Sequence, residues 1–419
     1  MGAWGILWVT LIYKLQNEYF QCVVERVSLT RSLVVLITGL SIVFMAYGIR
    51  YTFSMLLPEM MMELNLSNTQ AGLIYTSFLT LYTITSVFIG FLVDVKGVKR
   101  VILMFLPFFG IGTSLMSLTF SYWSGALFFS IAGMGASVCW TPIVVWIQKV
   151  YQDKRGSFLG ILQVGCNVGF GVLGIVIPLL LPYIGWRGCW ALLGGILLCW
   201  TMPLVKLAYE PQVQEALGRS LLEQVKGFKV FLKDRRLWLG GLSYMLASFA
   251  IMIPMTFVKA YTFFELGMDP VAATALFSVI GFTGIVGALI IPTMSDKIGR
   301  SFSILLCNSI MVLGLIGSAI MRPLFIEAIL WNTMAGISYG AVWPLYAALI
   351  KDLYDWSIIG SVTGLWTLMC GIGLLSSPLV GGLIIDAFNS YRPAYIVGGI
   401  MALVSTVLAF LTTSLRERK

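Results

Sequence analysis

Residues 90–100, GFLVDVKGVKR, decide how this chain is read. They close one long apolar segment and open the next with Asp94, Lys96, Lys99 and Arg100, while Gly90 and Gly97 permit a tight turn between closely packed helices. A charged turn this short between two apolar runs belongs at a membrane face. The pattern returns 202 positions later, where Pro292, Asp296, Gly299 and Arg300 in PTMSDKIGR stand at the spacing of Gly90, Asp94, Gly97 and Val98. The chain reads as two copies of one unit.

Composition agrees. Of 419 residues, 59% are hydrophobic and 11% charged, and the mean hydropathy is +0.93. That is more apolar surface than a water-soluble core can hide. The apolar runs reach the roughly 20 residues of a spanning helix and lack the alternation of an outer-membrane barrel. The expectation is an all-α membrane protein with 12 transmembrane helices in two pseudo-symmetric six-helix bundles. The spans fall at about 33–57, 71–92, 101–120, 123–147, 157–181, 187–206, 237–258, 271–293, 302–321, 325–348, 358–383 and 391–413.

This divides the chain into an N-terminal cytoplasmic or interfacial segment (1–32), an N-terminal bundle (33–206), a polar, basic cytoplasmic linker (207–236), a C-terminal bundle (237–413) and a short tail (414–419). The apolar stretch Ala3–Tyr13 is too short to span and has no basic residues ahead of it, which argues against a cleaved signal peptide. Further paired positions support the duplication. Pro142 and Pro344 are 202 apart, Gly160 and Gly364 are 204 apart, and Arg187 and Arg392, each after an aromatic residue, are 205 apart.

The net charge of +9 is distributed as in a membrane protein, not as in a nucleic-acid binder. With these spans, 22 of the 27 lysines and arginines fall on one side and only Arg187, Arg322 and Arg392 on the other. The positive-inside rule then places both termini and the middle loop in the cytoplasm. Short loops point to a prokaryotic inner membrane. The seven cysteines mostly lie in or beside apolar spans and read as packing residues. There is no histidine, no phosphate-binding loop and no zinc motif, so neither an enzyme, a metal nor a cofactor is expected.

The quoted turn resembles the loop between helices 2 and 3 of the major facilitator superfamily of transporters. Gly90, Leu92, Asp94, Gly97 and Lys99 or Arg100 match that pattern, while Val95 and Val98 replace its usual basic residues; Ser295, Asp296, Lys297, Gly299 and Arg300 match in the second copy. The resemblance implies two parallel halves that rock about a central cavity. It implies that Gly90, Asp94, Gly97, Arg100, Asp296, Gly299 and Arg300 form a cytoplasmic gate motif, a plain structural turn being the alternative. The superfamily's helix 4 arginine is absent, because Phe129 stands near its place, and its antiporter-type proline on span five is absent too. Both departures argue against proton-driven drug export.

Arg50 is the most informative single residue. It lies about eight residues, roughly 12 Å of helix, below Pro58. An arginine at such depth costs about 2.5–3.5 kcal/mol unless it faces water, a partner or a ligand. No carboxylate is placed deep in the spans to pair with it. A guanidinium facing a cavity grips a carboxylate or phosphate through two parallel hydrogen bonds; a structural arginine bonded to backbone carbonyls is the alternative. Arg50 also occupies a place similar to that of the cavity arginine in the superfamily's phosphate-exchanging antiporters. Lys259 is a second candidate. Its surroundings resemble the helix 7 end of monocarboxylate and oxalate/formate carriers, and snorkelling to the headgroups competes with substrate contact. Tyr47, Tyr75, Tyr82, Trp140, Asn332, Tyr339 and Trp343 are candidate cavity walls.

The expected activity is secondary or facilitated transport of a small organic anion, carboxylate or phosphate ester, by alternating access. A monomer in the lipid bilayer with a small-molecule substrate is expected. Without an intramembrane acid, exchange or uniport fits better than tight proton symport. Export of neutral hydrophobic compounds is one alternative, and a non-transporting receptor or assembly factor on the same fold is another.

Overall fold

The computed structural model describes residues 2–151, 155–210, 234–354 and 359–417. Every element among them is helical: α1 (Gly2–Leu64), α2 (Asn68–Lys96), α3 (Val98–Leu115), α4 (Tyr122–Ala136), α5 (Thr141–Val150), α6 (Arg155–Ile196), α7 (Met202–Leu207), α8 (Arg235–Ala260), α9 (Pro270–Ile298), α10 (Arg300–Ile320), α11 (Phe325–Leu353), α12 (Ile359–Phe388) and α13 (Arg392–Glu417), with short 3₁₀ or π turns extending α3, α6 and α8. Among the described residues, eleven stretches are long and apolar enough to cross a membrane. The longest, Phe158–Leu207, has 50 residues, about 75 Å of helix, and bends at Gly185. Before the bend it runs parallel to α1, with Gly165 against Leu40 and Val43, and Leu173 against Gly48. After the bend it returns: Arg187 reaches Glu63, and the Leu204 carbonyl accepts from Thr38. It therefore crosses twice, which restores the expected twelve spans.

Two boundaries differ from the sequence reading, and both differences shape the site. The first span was expected to end near Pro58, but α1 continues to Leu64. Membrane helices tolerate proline; Pro58 lacks the N–H that the Ser54 carbonyl would accept from, and Lys259 donates to the neighbouring Met55 carbonyl (2.6 Å). The fourth span was expected to run unbroken over 123–147. It breaks between α4 and α5, just before Pro142, whose missing N–H costs nothing in the first turn of a helix. At its other end α1 begins at Gly2, so residues 2–32 are continuous with the first span and not a separate short helix; the side chains of residues 1–29 lie outside those described.

The duplication is visible in detail. Gly97 (φ 82) and Gly299 (φ 89) each end one helix and start the next, in a conformation that only glycine adopts without strain. Arg187 binds Glu63 and the Ser117 and Thr119 carbonyls. Arg392 binds Glu265 and the Ala319 and Met321 carbonyls, each 202 positions on. Helix packing relies on small residues, as expected where lipid removes the hydrophobic drive between helices. A methyl at Gly133 would collide with the Phe78 backbone, and one at Gly340 with the Gly284 carbonyl.

The two halves meet along α2 with α12 and along α6 with α9. At one end, Asp386 of α12 accepts from the backbone and side chains of Asn68 and Thr69 at the start of α2. The Tyr391 hydroxyl donates to Asn68 (2.7 Å). Burial, with Asp386 and Glu265 nearby, raises this phenol above its ordinary value, so it remains a donor. The seam continues through Gly72 against Pro378, Thr76 bonded to the Leu375 carbonyl (2.9 Å), and Thr83 beside Gly371. Beyond that, Gly90, Gly160 and Gly364 face open space. The seam is sealed at the end carrying Asn68 and Tyr391.

Two glycines separate packing within a half from packing across the seam. Gly133→Val should lower the thermal midpoint through overpacking, a cost of about 1–3 kcal/mol. Gly72→Val instead presses on the Pro378 carbonyl of the opposite half. It should leave the midpoint closer to wild type while increasing thiol labelling of a Thr76→Cys probe in a cysteine-depleted background.

Candidate substrate-binding site

The break between α4 and α5 turns Cys139 and Trp140 inward, opposite the middle of α1. With Ala46, Tyr47, Arg50, Phe78, Tyr82 and Ala136 they line a small recess with about 10 Å³ of free room. Arg50 is 7% exposed. Its guanidinium carbon lies 5.5 Å from the Tyr51 ring centre and 5.7 Å from that of Tyr82, and its Nε has no hydrogen-bond partner. Tyr47 and Tyr75 are also close enough to feel its charge. Among the described residues no carboxylate comes within ion-pair distance of it; the ion pairs formed lie elsewhere.

An aromatic floor carries this site into the second half. The Tyr51 and Tyr339 hydroxyls are 3.1 Å apart across the seam, and Phe170 packs edge-on to both rings. Trp343 stands edge-on to Tyr339 and Tyr244 at 6.0 and 5.9 Å. Of the residues expected at the cavity, Tyr47, Tyr82 and Trp140 line the recess with Arg50, and Tyr339 and Trp343 lie outside that lining, in the aromatic cluster that Tyr51 joins. Tyr75 lies behind it, stacked between Phe53 and Phe129. Asn332 is not brought there. It lies two turns from Tyr339 toward the sealed end and donates to the Ala328 carbonyl of its own helix.

Lys259 is the main departure from expectation. It neither snorkels nor opens into the recess. It is fully buried on α8 and forms an ion pair with Glu59 of α1 at 2.6 Å. The extension of α1 past Pro58 is what brings Glu59 there. The second Glu59 oxygen, Oε2, is buried without a partner. This pair joins the two halves at the sealed end.

At the basic end, Gly97 and Gly299 make the turns read from the sequence. Asp296 pairs with Arg300, which also lies 3.7 Å from Asp352. Gly90 faces open space, Arg100 is exposed, and the Asp94 side chain lies outside the described residues. Sequence reasoning missed Glu210, which accepts from the backbone of Val98 and Lys99 at the start of α3 (2.6 and 3.2 Å). A carboxylate suits a helix N-terminus, but its arrival from beyond the sixth span left no local signal. It also missed Tyr51, one residue from Arg50, which the helical period alone would have placed beside the cavity.

A sequence profile of the Major Facilitator Superfamily matches residues 39–334 and 324–419. The chain belongs to this superfamily. It is 23% identical over 316 residues to monocarboxylate transporter 12 of Xenopus laevis, covering 69% of this chain and 68% of that one. It is 22% identical over 383 residues to the hexuronate transporter of Bacillus subtilis (strain 168), covering 85% and 89%. Among solved structures, a bacterial homolog of the human lysosomal transporter Spinster, inward-facing and unoccupied, matches with a TM-score of 0.77 at 15% identity over 92% of this chain and 97% of that one. This superfamily member is a multi-pass membrane transporter and not an enzyme. Its relatives include an animal and a bacterial protein, so they lend no support to a prokaryotic source.

The cross-seam pair gives a sharp expectation. Removing one member of a buried pair strands the other, typically at about 3–5 kcal/mol. Glu59 is 19% exposed, which moderates that figure. Lys259→Met should therefore lower the thermal midpoint and loosen the sealed end, and adding Glu59→Gln should recover part of the loss. A double-mutant cycle checks it, with strictly additive losses counting against a coupled pair.

Proposed function

We propose that this transporter moves a small organic anion by alternating access, with Arg50 as the charge anchor. One observation carries the reading: a guanidinium buried in mid-membrane among aromatic hydroxyls, with no carboxylate beside it among the described residues. A cation so placed is stabilised by an anion that arrives and leaves. The names of two relatives, a monocarboxylate and a hexuronate transporter, point the same way. Lys259 is not a second anchor in this conformation, because Glu59 already answers its charge. Alternation would break the Glu59–Lys259 pair and the Asp386 contacts at the sealed end. By the positive-inside rule the basic end is cytoplasmic. The recess holds no carboxylate or imidazole to carry a proton, which favours exchange or uniport over proton symport.

Thermal stabilisation of the purified protein by a panel of carboxylates and phosphate esters tests the proposal, because a ligand that binds the folded state must raise the midpoint. Hydrogen bonds to charged groups contribute about 1.5–3 kcal/mol. Arg50→Ala should therefore weaken the binding of a stabilising anion by roughly 10- to 100-fold, and Arg50→Lys, which keeps the charge without the planar fork, should fall between the two. Equal stabilisation of wild type and Arg50→Ala would make Arg50 structural and turn attention to neutral-compound export.

A further inference from the structure

We propose that a groove on the outer face of the N-terminal half, between α1 and the two limbs of α6, holds one acyl chain of an anionic phospholipid from the leaflet at the basic end. The proposal is independent of the anion reading and involves neither Arg50 nor the seam.

Leu40, Ser41 and Phe44 line the groove from α1, Val164 and Val168 from the first limb of α6, and Trp200 from the π turn Leu197–Thr201 on the second. Its free room is about 580 Å³, against about 10 Å³ in the Arg50 recess. The only nitrogen and oxygen atoms on its lining side chains are the Ser41 hydroxyl and the Trp200 indole N–H, and the indole donates to the hydroxyl at 3.4 Å. The rest of the lining is apolar, yet Trp200 is 58% exposed and Ile161 at its edge 42%. Exposure here is to lipid. Ser41 lies eleven residues, about 16 Å of helix, inside the start of its span at Thr30, and Trp200 lies seven residues, about 10 Å, from the end of its span at Leu207. Both depths belong to one leaflet of a hydrocarbon core roughly 30 Å thick, where acyl chains are the solvent.

The second half shows that the architecture does not require such a groove. At the offsets of the repeat, Ser41 corresponds to Ser243 and Trp200 to Ser405. Those two serines are fully buried and tie α8 to α13, each hydroxyl donating to the other's carbonyl at 2.8 and 2.7 Å, while Asn308 and Tyr346 bond to the Ser405 hydroxyl. Where the second half knits its helices together through polar groups, the first half carries an indole and a π turn, an irregularity that often marks functional positions. From the groove an exposed apolar stripe, Ile37 and Leu33 on α1 and Leu207 on α7, leads to the basic end. There Arg31 and Lys206 are exposed, and neither is ion-paired among the described residues. A tail lying in the groove brings its phosphate to the level of these two cations, which favours an anionic head over a zwitterionic one.

The test reconstitutes the full chain in phosphatidylcholine vesicles containing a little phosphatidylglycerol or phosphatidylcholine with a photoreactive diazirine in one acyl chain, and locates the adducts by mass spectrometry. Adducts should gather on residues 40–45 and 161–168, severalfold above those at Leu368 and Ile372, the exposed counterparts of Val164 and Val168 in the second half. Phosphatidylglycerol should label the groove severalfold more than phosphatidylcholine. Val164→Phe and, separately, Val168→Phe fill the groove and should cut its labelling severalfold, with labelling at Leu368 and the thermal midpoint near wild type. Arg31→Gln with Lys206→Gln, which leaves the packing untouched, should remove the preference for phosphatidylglycerol. Labelling spread evenly over both halves, or indifferent to both Phe variants, identifies ordinary boundary lipid and overturns the proposal. Absent groove labelling, with oxidation linking two chains through the exposed Cys199 beside it, seats a second copy on this face and overturns it as well. Equal groove labelling by the two lipids sinks the anionic head.

Discussion

A charge inside a bilayer has to be answered by another charge, by water or by a ligand, and this structure is organised around that requirement. Arg187 and Arg392 are each answered by a glutamate and two carbonyls within their own half. Lys259 is answered by Glu59 across the seam. Arg50 stands apart, surrounded by aromatic rings and hydroxyls that soften its burial without neutralising it.

The location of each answer determines what is able to move. The arginine clasps lie inside the halves, so a rocking motion leaves them intact and each half stays rigid. Between the halves the contacts are of another kind. Glycines and short side chains meet backbone, as at Gly72 with Pro378 and Gly281 with Gly171, surfaces that part without unthreading long side chains. At the sealed end the polar contacts across the seam are the Glu59–Lys259 pair, the Asp386 cap on α2 and the Tyr391–Asn68 bond, while the Tyr51–Tyr339, Thr76–Leu375 and Ser278–Gly171 contacts lie deeper.

The fold was largely legible because the bilayer imposes it. Span length, the glycine turns at Gly97 and Gly299 and the spacing between the copies all follow from local chemistry, and each is present. Arg50 was legible for the same reason, as a charge at a costly depth. What stayed hidden depended on distant partners or on how a proline is accommodated. Pro58 looked like a helix end, so Glu59 was placed at the surface and Lys259 was left without its counter-charge. Pro142 looked like one more residue of a continuous span, so the break that turns Trp140 into the recess went unseen. Asn332, a polar residue on a cavity-lining helix, bonds to its own backbone instead, a choice that sequence period does not reveal.

The duplicated clasps also permit a comparison of the protein with itself. Superimposed by their 202-residue offset, the two halves agree at the turn glycines and at the glutamates and carbonyls that hold Arg187 and Arg392. They disagree where Arg50 meets Met252 and where Lys259 meets Leu57. Two copies of one unit begin alike, so each retained match marks a position that architecture requires of either half, and each mismatch marks one that a single half was free to specialise. The chain thus contains its own control: among the charges that one half carries without a counterpart in the other are Arg50 and both members of the Glu59–Lys259 pair.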